Sequence, residues 1–214
     1  MKKLVLFGLF IAAIYSCKKP PLIDLGQKPI GQYLYEGDSM TDTVQGYRFN
    51  WPAQIVKLSK SAFLTPQVNV ATTAETVQMM DGEYATQVHP HAPNPNQNYF
   101  FFLLAGTNDA YFGHSPAQIY SDLKTEWKQA RGDGFKVVAF CLPRSTMLIR
   151  DTTNVKVNKL IIADLSQFDY LIRTDTLLPD PTDLTLWQTD GIHPNAAGSI
   201  KIAKEVLNVI AVKN

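Results

Sequence analysis

The chain has 214 residues, 45% hydrophobic and 18% charged, which suits one compact domain and argues against both disorder and two ordinary domains. Its net charge is +1 with the 20 Lys and Arg scattered, so the usual electrostatic case for a nucleic acid or acidic lipid partner is missing. With 2 Cys and no repeat or heptad, disulfide-stapled scaffolds, four-thiolate zinc modules, solenoids and coiled coils are excluded.

At the amino end, Lys2 and Lys3 precede an apolar run over 4–15, too short to cross a bilayer at about 20 residues but right for the core of a signal peptide. The run ends in Ile14-Tyr15-Ser16-Cys17, which resembles a bacterial lipobox, although Tyr15 departs from the small residue common at that place. The resemblance implies a signal peptide over 1–16, a lipidated Cys17 that anchors the protein to a membrane, and a Lys- and Pro-rich tether over 17–29 before a domain over 30–214. That places the protein in the bacterial cell envelope, facing the periplasm or the outside. An ordinary signal peptide or an uncleaved anchor are the competing readings. Cys141, in the apolar stretch 136–142, reads as inert strand packing.

Further along, apolar stretches of strand length at 32–36, 67–71, 99–104, 136–142 and 168–173 alternate with helical segments at 52–61, 74–80, 116–130, 155–165 and 195–209. Alternation of this kind predicts an α/β fold, a doubly wound, flavodoxin-like, five-stranded parallel sheet with helices on both faces. Pro52 and Pro116 stand where a first-turn proline is tolerated, with Ser115 as N-cap of the second. The stretch 81–98, holding His89, His91 and several Pro and Asn, has no periodicity and reads as a loop.

Ligands of open parallel sheets bind beyond the carboxyl ends of the strands, and the polar residues here collect there. Gly37-Asp38-Ser39 follows the first strand, where a sharp turn would present the hydroxyl at the start of the next helical segment. Gly106-Thr107-Asn108-Asp109 follows the third strand and offers a side-chain amide. Asp190 and His193 are three residues apart, so one local turn can aim both and leave the far ring nitrogen to Ser39.

In this order the three pieces resemble the SGNH or GDSL hydrolases over about 32–209, with Pro194-Asn195-Ala196-Ala197-Gly198 completing the last block. The resemblance implies a serine esterase with Ser39, His193 and Asp190 as catalytic triad, and an oxyanion hole from the N–H groups of Ser39 and Ala74 and the amide of Asn108. Ala74 takes the place of the family's usual glycine; if that place needs φ > 0, the alanine adds strain. Tyr111, Phe112 and His114 follow the third block and either wall the substrate pocket or pack beneath a loop.

The substrate expected is a small-molecule or glycan acyl ester, with short acyl groups, acetyl above all, because little chain is left for a lid and the polar loop 81–98 suits polar contacts. No cofactor and no metal are expected, since the four His do not form a ligand pattern. The alternatives are a lysophospholipase, thioesterase or acyltransferase of the same fold, and a silent lipid-anchored binding module. An α/β-hydrolase elbow is disfavoured because Thr41 occupies the place of its last glycine.

Overall fold

The computed structural model describes residues 30–43, 50–59 and 65–212. Cys17, the signal segment and the tether lie outside the described residues. Strands β1 (Ile30–Gly37), β2 (Gln67–Asn69), β3 (Asn98–Leu104), β4 (Lys136–Phe140) and β5 (Tyr170–Ile172) form one parallel sheet in the order β2-β1-β3-β4-β5. The doubly wound expectation is met.

The continuous apolar run in β3 follows from burial on both faces. Phe101 and Leu103 enter one core with α2 (Val77–Gln87), α4 (Pro116–Gly132) and α5 (Leu148–Ala163). Phe100, Phe102 and Leu104 enter the other with α1 (Trp51–Leu58) and α7 (Ala196–Val212). In the second core Trp51 meets Phe140 at 5.0 Å and Tyr35 at 5.3 Å between ring centroids. Each large side chain buried in this way contributes about 1.5–3 kcal/mol, which fixes α1 on the sheet although it has only two turns.

Caps set several boundaries. Asn50 and Ser115 accept from Ala53 and Gln118, each with a proline in the first turn, so α1 and α4 start where their sequences predict. Helix α2 differs from expectation. It is capped by Thr76 and runs to Gln87, and a short 3-10 turn covers His89–His91, so only 92–97 of the expected loop is irregular. Three residues, Val77, Met80 and Tyr84, carry its buried stripe, which is too sparse a pattern to read through the neighbouring Asp81 and Gly82. Helix α5 likewise begins about two turns before the predicted 155, at Leu148, because its first turn is exposed rather than apolar on one face.

Topology then moves the His- and Pro-rich loop away from the strand ends that matter. It leads from the end of α2 into the start of β3, and His89 bonds Asp133, just ahead of β4, at 2.9 Å. It therefore lies at the amino edge of the sheet, opposite Ser39, and the expected polar contacts from this loop to substrate are corrected. Two short helices, α3 (Thr107–Tyr111) and α6 (Thr174–Leu177), have too few residues for a periodic signal.

Two carboxyls stand inside the first core. Glu36, from the end of β1, and Glu126, from α4, are 3% and 0% exposed, and Glu36 Oε2 and both oxygens of Glu126 have no hydrogen-bond partner among the described residues. Burial first, and then the neighbouring carboxylates, push both well above the usual carboxyl range. Cys141 is buried at 0% exposure among apolar side chains, which pushes its thiol up to about 12 and makes it inert, as expected. No helix among the described residues is long and apolar enough to cross a membrane.

Candidate active site

The chain must turn abruptly after β1. An added Cβ at Gly37, whose φ is 147°, would stand 2.4 Å from the Leu104 carbonyl oxygen, so only glycine lets β1 and β3 end side by side here. Asp38 is buried and closes the turn: its Oδ1 accepts from Met40 N–H at 3.0 Å, and its carbonyl accepts from Thr41 and Asp42. Burial pushes its carboxyl up to about 7, against the Met40 bond and the charge of Arg150. Ser39 is thereby held at the tip of a tight turn, not at the head of a helix as expected, since α1 begins only at Trp51.

Its hydroxyl meets His193 Nε2 at 2.8 Å, and His193 Nδ1 meets Asp190 Oδ2 at 2.7 Å. The other oxygen of Asp190 accepts the N–H groups of Ile192 and His193, so acid and ring are aimed by one local turn. Burial raises the Asp190 carboxyl, but these N–H donors and the His193 ring outweigh it and hold the group below its usual range. For His193 burial dominates and lowers the ring below 6.5; the Asp190 bond and charge raise it only in part, and the charge of Arg150 adds to the lowering. A neutral ring that accepts from a serine hydroxyl and donates to an ionised carboxylate is the state a general base requires.

The turn carrying the pair is itself closed. Gln188 N–H donates to the His193 carbonyl at 2.9 Å, Asn195 N–H to that of Leu186 at 2.9 Å, and Trp187 bridges to Pro194. Asn195 caps α7 by accepting from Ala197 and Gly198, and an added Cβ at Gly198 would come within 2.2 Å of the Leu186 carbonyl oxygen. The run Pro194 to Gly198 is thus explained by capping and close approach.

The other expected oxyanion donors come from the 72–77 loop and from α3. Ala74 has φ 71°, so the strain anticipated for an alanine at this place is present. Its N–H and that of Ser39 donate to no described residue. Asn108, 9% exposed at the start of α3, gives one amide hydrogen to the Glu75 carbonyl at 2.9 Å, and no described residue accepts the other. The loop bearing Ala74 is fastened from three directions: Thr72 N–H to Gly37, Thr73 N–H and hydroxyl to Asp42, and Val77 N–H to Asp109. The loop-fastening roles of Asp42 and Asp109 escaped sequence reading because a buried carboxylate that serves a loop 31 or 32 residues away leaves no local pattern.

The three remaining candidates separate. Tyr111 and Phe112 are 48% and 60% exposed at the rim, ruling out packing beneath a loop, whereas His114 turns to Asp109, 3.4 Å away. Among the described residues no group of three or more His, Cys, Asp or Glu is arranged to hold a metal. A recess of about 10 Å³ beside Ser39 and His193 is lined by Met40, Asn50, Pro194 and Ser199.

A model of the GDSL-like lipase/acylhydrolase family matches residues 37–199, from the turn before Ser39 to the first turn of α7. The chain belongs to this family. It is accordingly a serine hydrolase of the carboxylic-ester class. No curated protein sequence is significantly similar to it. Among solved structures it shares its fold with a member of the lipolytic G-D-S-L family from Veillonella parvula, at 18% identity and a TM-score of 0.70 over 84% of this chain and 98% of that one. An acetylxylan esterase from Geobacillus stearothermophilus is similar at 14% identity and a TM-score of 0.66, over 86% and 95% of the two chains. TesA is similar at 20% identity and a TM-score of 0.68, over 83% and 96%.

Proposed function

We propose that the chain is a lipid-anchored esterase that removes short acyl groups, acetyl above all, from a polar alcohol such as a glycan, through an acyl-enzyme on Ser39. The observation that carries the reading is the continuous relay from Ser39 Oγ through His193 to Asp190, at 2.8 Å and 2.7 Å. His193 takes the serine proton as Oγ attacks the ester carbonyl, and Asp190 stabilises the imidazolium. The N–H groups of Ser39 and Ala74 and the free amide hydrogen of Asn108 receive the negative oxygen. His193 then protonates the leaving alcohol, and water repeats the cycle on the acyl-enzyme.

The recess beside Ser39 and His193 is about 10 Å³, roughly room for one water, and offers no enclosed channel for a long acyl chain, which favours a short one. The acetylxylan esterase likeness agrees with this but rests on fold alone. A fluorophosphonate label should attach to wild-type protein and not to Ser39→Ala, and nitrophenyl acetate should have a higher kcat/KM than the octanoate. Failure to label overturns the acyl-enzyme; a preference for octanoate points to the lysophospholipase or thioesterase reading instead. Anchoring rests on Cys17: Cys17→Ser should release the protein from membranes or leave an unprocessed precursor.

A further inference from the structure

The four described arginines differ in what they touch. Arg144 forms a two-pronged pair with Asp151 at 2.6 and 2.8 Å, Arg173 another with Asp175 at 2.8 Å for both bonds, and Arg131 donates to the Ser166 carbonyl at 2.7 Å. Arg150 has none of these. Its Nε is enclosed without a hydrogen-bond partner among the described residues, and the guanidinium lies over the ring of Tyr111, 4.7 Å from the centroid. Asp151, the adjacent acid, is already committed to Arg144.

Arg150 is also held at the mouth of the active site. Tyr111 is one turn beyond Asn108 on α3. On the other side, Thr146 ties the segment leading into α5 to the catalytic turn, with N–H to the Gly191 carbonyl at 3.0 Å and hydroxyl to that of Asp190 at 3.2 Å. The charge of Arg150 is felt at Asp38, Asp190 and His193. Neither acid closes on the guanidinium: Asp38 Oδ1 serves Met40, and both Asp190 oxygens serve the 192–193 segment.

A guanidinium that is stacked on an aromatic ring and whose terminal nitrogens have no acceptor among the described residues matches a carboxylate. We propose that Arg150 binds a carboxylate carried by the ester substrate, seating an anionic acyl or alcohol group over Tyr111 beside Ser39 and His193. This rests on the esterase reading above and names the class of ester.

Two matched pairs separate the sources of the carboxylate. Phenyl acetate and 4-acetoxybenzoate differ by a carboxylate on the alcohol, ethyl butyrate and monoethyl succinate by one on the acyl group. In wild-type protein the charged member of one pair should have the higher kcat/KM, and Arg150→Gln should lower that charged-to-neutral ratio about tenfold or more. Arg150→Lys should retain part of it. Reading a ratio cancels any loss common to both esters. Equal ratios in wild type and Arg150→Gln, or no preference for either acid in wild type, overturn the proposal. Binding of benzoate and succinate to the Ser39→Ala protein, with and without Arg150→Gln, reads the same site without turnover. Weaker binding in the double variant supports it and unchanged binding overturns it. A chain that hydrolyses nothing is therefore distinguished from one that lacks this anion site.

Discussion

Asn108 is bonded through its side-chain amide to the backbone carbonyl of Glu75, 33 residues away, at 2.9 Å. One amide group thus positions the loop that carries Ala74, and in the mechanism proposed above its second hydrogen also serves the reacting oxygen. Asn108→Ala should lower kcat by about a hundredfold or more, as loss of a single oxyanion donor does. It should also destabilise the protein by about 1–3 kcal/mol, because the Glu75 carbonyl loses its donor in a buried place. Denaturant titration beside the kinetics checks both; a rate loss of tenfold or less would leave Asn108 a structural role only.

Ala74 sits at φ 71° on an exposed loop, so its strain is backbone strain with little packing to lose. Ala74→Gly should keep or raise activity and change stability by less than about 1 kcal/mol, relief of the left-handed conformation being offset by a freer unfolded chain. Ala74→Pro removes the N–H and cannot reach that φ, and should abolish turnover. An active proline variant would take this residue out of the oxyanion hole.

His193 must be neutral to accept the serine proton, and burial lowers it below 6.5. The neutral form therefore persists to lower pH than for a free imidazole. The value of kcat/KM should rise with pH through a single inflection below 6.5 and stay level through neutrality. A pH profile of nitrophenyl acetate hydrolysis checks this, and an inflection at 7 or above would contradict it.

Glu36 and Glu126 carry the opposite consequence for stability. Their carboxyls are held above the usual value of 4.5 in the folded chain. Between that value and the folded one, the native state holds protons that the unfolded chain has released. Stability contributed below pH 4.5 is then lost as pH rises through the raised range. Glu126→Gln keeps the shape without the acid, so it should match wild type near pH 5 and exceed it at pH 8 to 9. Urea midpoints across pH measure the difference, and a wild-type midpoint flat from pH 5 to 9 would contradict the assignment.

Sequence patterns revealed what depends on neighbours in the chain. The aromatic run of β3, the first-turn prolines of α1 and α4 with Ser115 capping the second, and the short spacing of Asp190 and His193 are local signals, and each is found where it was expected. The position of Ala74 came from its match to a family glycine, which also located the strain. What escaped depends on the path of the chain through space. The His89 loop has a composition suited to a binding site, yet the length of α2 carries it to the wrong edge of the sheet. Asp42, Asp109 and Arg150 act across more than thirty residues or from a helix start with no apolar periodicity, so no window of sequence contains both ends of their interactions.

The turn from Leu186 to Asn195 closes on itself through Gln188, His193 and the Trp187–Pro194 bridge. Acid and base are therefore carried on one small plate, while the nucleophile belongs to the sheet. A displacement of that plate lengthens the contact between Ser39 and His193 and leaves the one between His193 and Asp190 intact. The orientation and tautomer of the imidazole are thus set within the turn by Asp190, independently of its distance to the serine.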